Sequence, residues 1–347
     1  MMAFFPTPYV DELAYSLFAR YHVHSGHMTF RATAEDIFQN KDAIPNPEFF
    51  PALTDEVCSI ITHSSTMEAF IAEHTMLPYY IRFLPLERRQ KAMELLLAMD
   101  RTFYDAIYVR QKKSKQRQHM RYCPLCAAAD REQHGETYWH RKHQLPGVEI
   151  CLEHRCRLEN SSNGITVESQ RFKLIHAELV IPENTPVNLD VSNLEYQLSD
   201  YVMKVFDADM DFEHDVSVGK FLQSRLEGTP YTSTRGEQVF ARKLYAALSE
   251  YYQEFPQYSL EAWWYVQKVF CSQNFHTIDV SLIAFFLGIP IQDLLHMTLP
   301  EQTLQQRFDS KLRMLRSQGM TQKQVAEAMG VSIHAVKGVE EKRYRTA

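Results

Sequence analysis

The chain is poor in glycine and cysteine, and long apolar runs are missing from it. Only 11 glycines and 6 cysteines occur among its 347 residues. No run of about eighteen apolar residues is present, which predicts a protein without a membrane-spanning helix. The N-terminus, MMAFFPTPYVDELAYSLFARY, lacks the basic start and continuous apolar core of a signal peptide. These absences predict a cytoplasmic protein in which reduced thiols remain available to a metal ion.

Signals for catalysis are also missing. A nucleotide-binding loop of the form G-x-x-x-x-G-K-[ST] is absent, because Gly219-Lys220 lacks the upstream glycine. No nucleophile with a plausible general base is apparent in the sequence. The net charge of -6 excludes a chain that is basic throughout, but it leaves room for local basic patches. The residues therefore predict a protein that recognises other molecules without catalysing a reaction.

Scarce glycine and long amphipathic stretches predict a mainly α fold. Leu, Ala, Met, Glu, Gln, Lys and Arg are frequent, with apolar positions three and four residues apart. At this length we expect two or more domains. The predicted parts are a helical N-terminal domain at 1–118, a small zinc-finger module at 119–164, a mainly helical domain at 165–300 and a terminal helix-turn-helix at 301–347.

Some single elements can also be predicted. Asp11 is expected to cap the first helix, and further helices are expected at 66–75 and from 86 past 97. Short strands are expected around 179–181. A group of aromatic residues lies in a segment that is apolar on most sides, which predicts core packing rather than a stacking surface. These residues are Trp263, Trp264, Tyr265 and Phe270.

Four residues between 119 and 164 have the spacing of metal ligands. Cys123 and Cys126 form a C-x2-C pair, and Cys151 and His154 form a C-x2-H pair. Two such pairs can bind one Zn²⁺ tetrahedrally, which predicts a structural zinc site. The cysteines could instead be buried apolar side chains or a disulfide pair, and a reducing compartment disfavours the disulfide. Three nearby residues compete with His154 for the fourth position: Cys156, His140 and His143.

A catalytic zinc site is the alternative to a structural one. Glu136 lies in His134-Gly135-Glu136, an H-x-E triplet like the one that zinc deaminases use for a ligand and a general acid/base. In those enzymes the triplet precedes a P-C-x-x-C pair, whereas here it follows Cys126. Three thiolates and an imidazole would also close the coordination shell, so the pattern favours a structural site.

The C-terminus has a helix-turn-helix pattern. Thr321 is expected to cap one helix, Gly330 to end it and Ser332 to cap the recognition helix. Residues 301–347 contain nine Lys or Arg against five Asp or Glu, which favours DNA contact over a purely structural helix pair. A weaker copy of the pattern lies at 281–295.

A basic run also precedes the zinc module, at 110–121. It could follow a phosphate backbone, or it could be a solvated linker. The DNA-contacting residues predicted from the terminal pattern and from this run are Ser332, His334, Lys337, Lys112, Lys113, Lys115 and Arg117.

Several motifs resemble the TniQ/TnsD family, the target-selecting proteins of transposons that carry an AAA+ ATPase regulator. The resemblance rests on Phe5-Pro-Thr-Pro-Tyr9, Arg121-Tyr-Cys-Pro-Leu-Cys126, Gly135-Glu-Thr-Tyr-Trp-His140 and Cys151-Leu-Glu-His154. It implies that the two cysteine-containing pairs hold structural Zn²⁺. Leu152 and Arg155 stand where the family usually has proline and glycine.

The resemblance implies a non-enzymatic adaptor in DNA transposition. Such an adaptor recognises double-stranded DNA at an attachment site, or an RNA-guided CRISPR effector already bound to DNA, and recruits the AAA+ ATPase regulator. We expect it in the bacterial cytoplasm, associated with the nucleoid and not with a membrane. The alternatives are a helix-turn-helix transcription regulator and a zinc hydrolase or deaminase that uses Glu136.

Overall fold

A computed structural model of the chain describes residues 2, 4–107, 119–164, 174–272 and 274–337. The fold is mainly helical, as predicted. The backbone forms two compact units, of which the first comprises Met1–Asp215, His276–Phe285 and Pro290–Leu295. The second comprises Val216–Phe275, Phe286–Ile289 and His296–Ala347. Among the described residues, no helix is both long enough and apolar enough to cross a membrane.

The regular elements follow one another along the described chain. The α-helices are α1 (Ala14–His24), α2 (Phe30–Ile37), α3 (Asp55–Ser64), α4 (Met67–His74), α5 (Leu77–Ile81), α6 (Leu86–Leu97), α7 (Phe103–Ile107), α8 (Pro124–His134), α9 (Ala177–Val180), α10 (Asn193–Asp207), α11 (Val218–Arg225), α12 (Ala241–Tyr251), α13 (Trp263–Cys271), α14 (Thr277–Phe286), α15 (Ile291–Leu295), α16 (Leu304–Ser317) and α17 (Gln322–Met329). Short 3-10 helices cover Lys142–Gln144 and Pro256–Tyr258, and a helical segment covers 333–337. The strands are β1 (His119–Tyr122), β2 (Ile150–Cys151), β3 (Cys156–Arg157) and β4 (Glu159–Gly164).

Threonine side chains start three helices of the first unit. The hydroxyls of Thr29, Thr54 and Thr66 each accept a hydrogen bond from the backbone N–H three residues later, which satisfies a donor that the helix itself leaves unpaired. The helices expected at 66–75 and from residue 86 are confirmed as α4 and α6, and α6 ends at Leu97.

Two local predictions were wrong. Asp11 does not cap α1, which begins after Leu13 without a side-chain cap. The Asp11 backbone is left-handed (φ 58), and its carboxylate accepts a hydrogen bond from the backbone N–H of Lys142 at 3.1 Å, so a tertiary contact uses the group instead. The strand expected around 179–181 is the short helix α9. A stretch this short carries no periodicity that could separate a strand from one helical turn.

Trp139 joins the N-terminal helices to the segment after α8. The indole is fully buried, and its Nε1–H donates to the carbonyl oxygen of Ile175 at 2.7 Å. The backbone N–H of Trp139 donates to the Ser16 hydroxyl at 3.0 Å, and its carbonyl accepts from the N–H of Leu13, also at 3.0 Å. Residues on both sides of the expected boundary at 118 therefore pack within one unit. The predicted domain limits stay predictions.

The second unit contains the aromatic segment of α13. The helix buries Val266 and Val269, whereas Trp264 is 46% exposed and the other three aromatics are only partly buried. The prediction that all four aromatics form core was therefore wrong, because β-branched residues at i and i+3 occupy the buried face. Gly219 in α11 lies so close to this helix that an added Cβ would stand 2.5 Å from the Val269 carbonyl oxygen.

The C-terminal helices form a small bundle around one apolar cluster. Val325, Ala326 and Val336 pack with Phe308 and Leu312 of α16. The helix limits predicted from sequence are confirmed: Thr321 caps α17 with a capping box, and Gly330 ends it in a left-handed conformation (φ 65). The Ser332 hydroxyl accepts from the backbone N–H of Ala335 at 3.3 Å and starts the next helical segment. Use of this pair as a DNA-binding helix-turn-helix stays a prediction.

Candidate metal centre

A helix start and a small hairpin hold the four residues predicted as metal ligands. Cys123 is the N-cap of α8, where its sulfur accepts from the backbone N–H of Cys126, and Pro124 occupies the first helical position. Cys151 ends β2, and His154 lies in the turn that leads to β3. The β2–β3 hairpin contains only two residue pairs, one of which is Cys151 with Cys156.

The four ligand atoms converge on one point. They all lie within 4.8 Å of one another, and the three cysteines are buried. The sulfurs of Cys126 and Cys151 are 3.6 Å apart, and Nδ1 of His154 lies 3.3 Å from Cys126 and 3.6 Å from each of the other two sulfurs. A tetrahedral Zn²⁺ with ordinary bond lengths separates two sulfurs by about 3.8 Å and a sulfur from a nitrogen by about 3.5 Å. We call these four residues the cysteine cluster, and it could hold a metal ion.

Crowding of the sulfurs perturbs their ionisation. Hydrogen bonding from the neighbouring thiols of Cys126 and Cys151 lowers the pKa of Cys123 to about 3. The hydrogen bonds with Cys123 and Cys151 raise the pKa of Cys126, because a thiol that donates to neighbouring thiolates gives up its proton less readily. A divalent cation removes this competition, since it stabilises all the thiolates together.

The geometry favours His154 over the other candidates for the fourth ligand. The group of mutually close ligand atoms contains His154 and none of the three competitors. Cys156 places its sulfur 3.4 Å from that of Cys123, and His143 places Nε2 3.8 Å from the sulfur of Cys126. His140 is paired with Asp130 through Nε2 at 3.0 Å. The Cys156 thiol and the His143 imidazole can thus donate to metal-bound sulfurs and orient them.

Arg155 occupies a position where glycine would be easier to accommodate. Its φ is 50°, in the left-handed region, and it follows His154 directly. The guanidinium lies over the ring of Tyr196, 4.8 Å from the ring centre, which offsets part of the backbone strain. The departure from the usual glycine therefore changes how the turn is stabilised and leaves the ligand in place.

Glu136, the residue of the catalytic alternative, takes part in a different set of contacts. Its Oε1 accepts from Nε of Arg20 at 2.8 Å, and its Oε2 lies 2.8 Å from Nε2 of His24 and 3.2 Å from Nε2 of His176. Burial opposes ionisation of Glu136, but the contacts with His176, Arg20 and His24 outweigh it and lower the pKa of the carboxyl.

His134, the histidine of the H-x-E triplet, is also not positioned as a metal ligand. The ring of His134 stacks on Tyr9 with the ring centres 4.1 Å apart, and within the described residues it belongs to neither group of potential metal ligands. A carboxylate with a lowered pKa is also a poor general base near neutral pH. This geometry gives no support to a deaminase-like site.

The predicted DNA-contacting residues fall into two sets. Ser332, His334 and Lys337 are exposed at the end of the C-terminal bundle, whereas Val336 between them is buried. Residues 110–118 of the basic run lie outside the described residues, and with them Lys112, Lys113, Lys115 and Arg117. Sequence reasoning assigned no functional role to Arg20, His24 or His176, because no spacing pattern links them to Glu136.

Comparison with known proteins agrees with the resemblance seen in the motifs. The TniQ family model matches residues 3–158, a range that contains the whole cysteine cluster. The transposon Tn7 transposition protein TnsD of Escherichia coli is 29% identical in an alignment of 157 residues, and the match covers 43% of this chain and 30% of that protein. The chain thus aligns with less than a third of the length of this relative.

Proposed function

We propose that this chain, which matches the TniQ family model over residues 3–158, selects the target in DNA transposition. The match to the TniQ domain carries the proposal, since TnsD of Tn7 is by name a transposition protein. Selection of this kind requires binding and recruitment and no bond-making by the adaptor itself.

We propose that the cysteine cluster holds a structural Zn²⁺. Three thiolates and one imidazole leave a tetrahedral ion no open position for a water or a substrate. The sulfurs are buried, and the 3.6 Å between those of Cys126 and Cys151 fits an edge of such a tetrahedron. Held in this way, the ion would fix the start of α8 against the β2–β3 hairpin.

For direct DNA contact we propose the exposed face of the C-terminal bundle. The described residues of this bundle include six basic side chains, Arg307, Lys311, Arg313, Arg316, Lys323 and Lys337, against two acidic ones, Asp309 and Glu327. Lys337 and the hydroxyl of Ser332 can contact phosphate, and His334 can reach a base edge. Bidentate readers such as Arg, Asn or Gln are missing from 332–337, so this segment would add affinity more than sequence specificity.

Recruitment belongs to the same proposal and rests on the family resemblance. An AAA+ ATPase regulator would bind the N-terminal part, and an RNA-guided effector on DNA is the alternative to an attachment sequence as the target. A pull-down from the native host tests both partners. Recovery of an AAA+ ATPase supports the adaptor, and recovery of transcription machinery alone contradicts it.

Direct DNA contact can be tested by binding to duplex DNA over a range of salt concentrations. Lys337→Ala should weaken affinity and reduce the slope of log K against log salt by about one, because one phosphate contact is lost. Lys220→Ala is the matched control, since Lys220 is an exposed lysine on α11. Equal slopes for the two variants would contradict contact through this face.

A helix-turn-helix transcription regulator is the second candidate. The capped helices around Gly330 favour it, because they have the limits such a motif requires. A regulator of this type usually binds a palindrome as a dimer, with half-sites one helical turn apart. Dimeric binding to a palindromic duplex, with no transposition partner recovered from the host, would favour it over the adaptor.

A further inference from the structure

A second group of potential metal ligands lies in the first unit, apart from the cysteine cluster. His24 is the last residue of α1, Glu136 follows the left-handed Gly135 that ends α8, and His176 is the N-cap residue of α9. We propose that these three residues form a solvent-open site for a divalent transition metal of the Zn²⁺ class. We call them the His24–Glu136–His176 cluster.

The donor atoms are close enough to share one ion. One donor atom from each of the three residues lies within 4.8 Å of the other two. Oε2 is 2.8 Å from Nε2 of His24 and 3.2 Å from Nε2 of His176. A tetrahedral ion with bonds of about 2.0–2.1 Å holds such atoms about 3.3 Å apart. Entry of an ion would therefore lengthen the two contacts of Oε2 by no more than about half an ångström.

The two carboxylate oxygens of Glu136 make different contacts. Oε1 is held by Arg20 at 2.8 Å and faces the Tyr9 hydroxyl at 3.4 Å, which leaves Oε2 directed at the two imidazoles. Ligating carboxylates are commonly fixed by such outer contacts on the oxygen that does not bind the metal. Arg20 also pairs with the buried carboxylate of Glu12 at 2.9 Å, so its single positive charge is shared by two acidic groups.

His176 supplies an independent reason to place a ligand here. The side chain is 4% exposed, and among the described residues neither of its ring nitrogens has a hydrogen-bond partner. Nε2 approaches Oε2 of Glu136 without the alignment that a hydrogen bond requires. Burying a polar atom without a hydrogen-bond partner is unfavourable. Coordination through Nε2 would give one of the two nitrogens a bonded partner.

The solvent exposure of His24 distinguishes this site from the buried cysteine cluster. The His24 side chain is 44% exposed, so solvent can fill the coordination positions that three protein ligands leave open. Two imidazoles and one carboxylate favour zinc and its neighbours in the first transition row over Mg²⁺ and Ca²⁺, which prefer oxygen donors alone. Such an ion would tie together the ends of α1 and α8 and the start of α9. It should also be removed by mild chelators before an ion held by three thiolates.

Zn²⁺ binding to the full chain tests the proposal. Metal content is measured after reloading with Zn²⁺ and again after a mild chelator, for the wild type, His24→Ala and the control His63→Ala. His63 is an exposed histidine near the end of α3 that belongs to neither cluster. The wild type and the control should bind one more equivalent than His24→Ala, and the mild chelator should remove that equivalent first.

All the variants compared keep the cysteine cluster, so a difference in zinc content between them does not depend on metal bound there. A second variant, His176→Gln, should lose the same equivalent. Cobalt substitution separates the two sites, because only the cysteine cluster gives thiolate-to-metal charge-transfer absorption, which both variants should retain. The proposal is overturned if wild type and His24→Ala bind equal amounts of Zn²⁺, or if His63→Ala loses as much as His24→Ala.

Discussion

Replacing Cys151 with serine should destabilise the first unit strongly. Cys151 is 3% exposed and lies in the β2–β3 hairpin. The two strands of this hairpin pair at only two positions. A pairing this short is not stable in water without other support. The bound ion would supply that support, because the binding free energy of a structural metal is folding free energy.

The size of the effect follows from the four ligands. Structural Zn²⁺ contributes about 10–16 kcal/mol to the folding of zinc-finger peptides, which is about 2.5–4 kcal/mol for each of four ligands. A single domain is stable by only about 5–15 kcal/mol. Loss of the Cys151 thiolate should therefore remove a large part of the stability of the first unit.

Urea unfolding followed by circular dichroism, together with zinc analysis, measures this effect. Cys58→Ser is the matched control, since Cys58 is partly buried in α3 and lies outside both clusters. The control should keep its zinc and change stability by at most about 1 kcal/mol. If Cys151→Ser retained its zinc and unfolded at the same urea concentration as Cys58→Ser, the cysteine cluster would not be a structural metal site.

Three further predictions concern other parts of the fold. Burial raises the pKa of Glu12 to about 7, so the folded state binds its proton more tightly than the unfolded state does. The stability of the wild type relative to Glu12→Gln should therefore fall as pH rises from about 4.5 to 7, measured by urea unfolding at several pH values, and a constant difference would contradict this. Gly219→Ala would place a Cβ 2.5 Å from the backbone oxygen of Val269, so we expect a lower melting temperature and a loss of about 1–3 kcal/mol; an unchanged melting temperature would show that the two helices can separate freely. Thr321→Ala removes the cap of α17 and should cost about 1 kcal/mol in thermal unfolding, whereas Thr321→Ser should cost less; equal losses would argue against the cap.

What the sequence predicted correctly depends on neighbours along the chain. The Thr321 cap and the left-handed Gly330 satisfy helix ends within a few residues, so residue type and spacing are sufficient to find them. The two cysteine-containing pairs are local in the same sense. Only their convergence requires the fold, and the ligand distances agree with the predicted set of four.

The wrong predictions concern side chains whose partners are distant in sequence. Asp11 has the right residue type for a cap, but contacts with the chain 130 positions later take its carboxylate. Trp264 is apolar, yet the buried face of α13 is determined by the helices packed against it and not by hydropathy. Likewise Glu136 lies 112 positions after His24, a separation at which no sequence pattern predicts contact.

The contacts of Trp139 indicate how a metal site can serve target selection without touching the target. The segment that follows α8 hydrogen-bonds directly to the start of α1 through Leu13 and Ser16, and Tyr15 of the same helix accepts from the backbone N–H of Ile175 at 2.9 Å. An ion at the start of α8 would therefore act on the N-terminal helices through buried contacts that leave little freedom to adjust. Under the proposed function, the cysteine cluster would keep α1 in position for a partner. The partner itself would meet other residues, so a substitution in the cluster would abolish recruitment through loss of structure and not through loss of a contact.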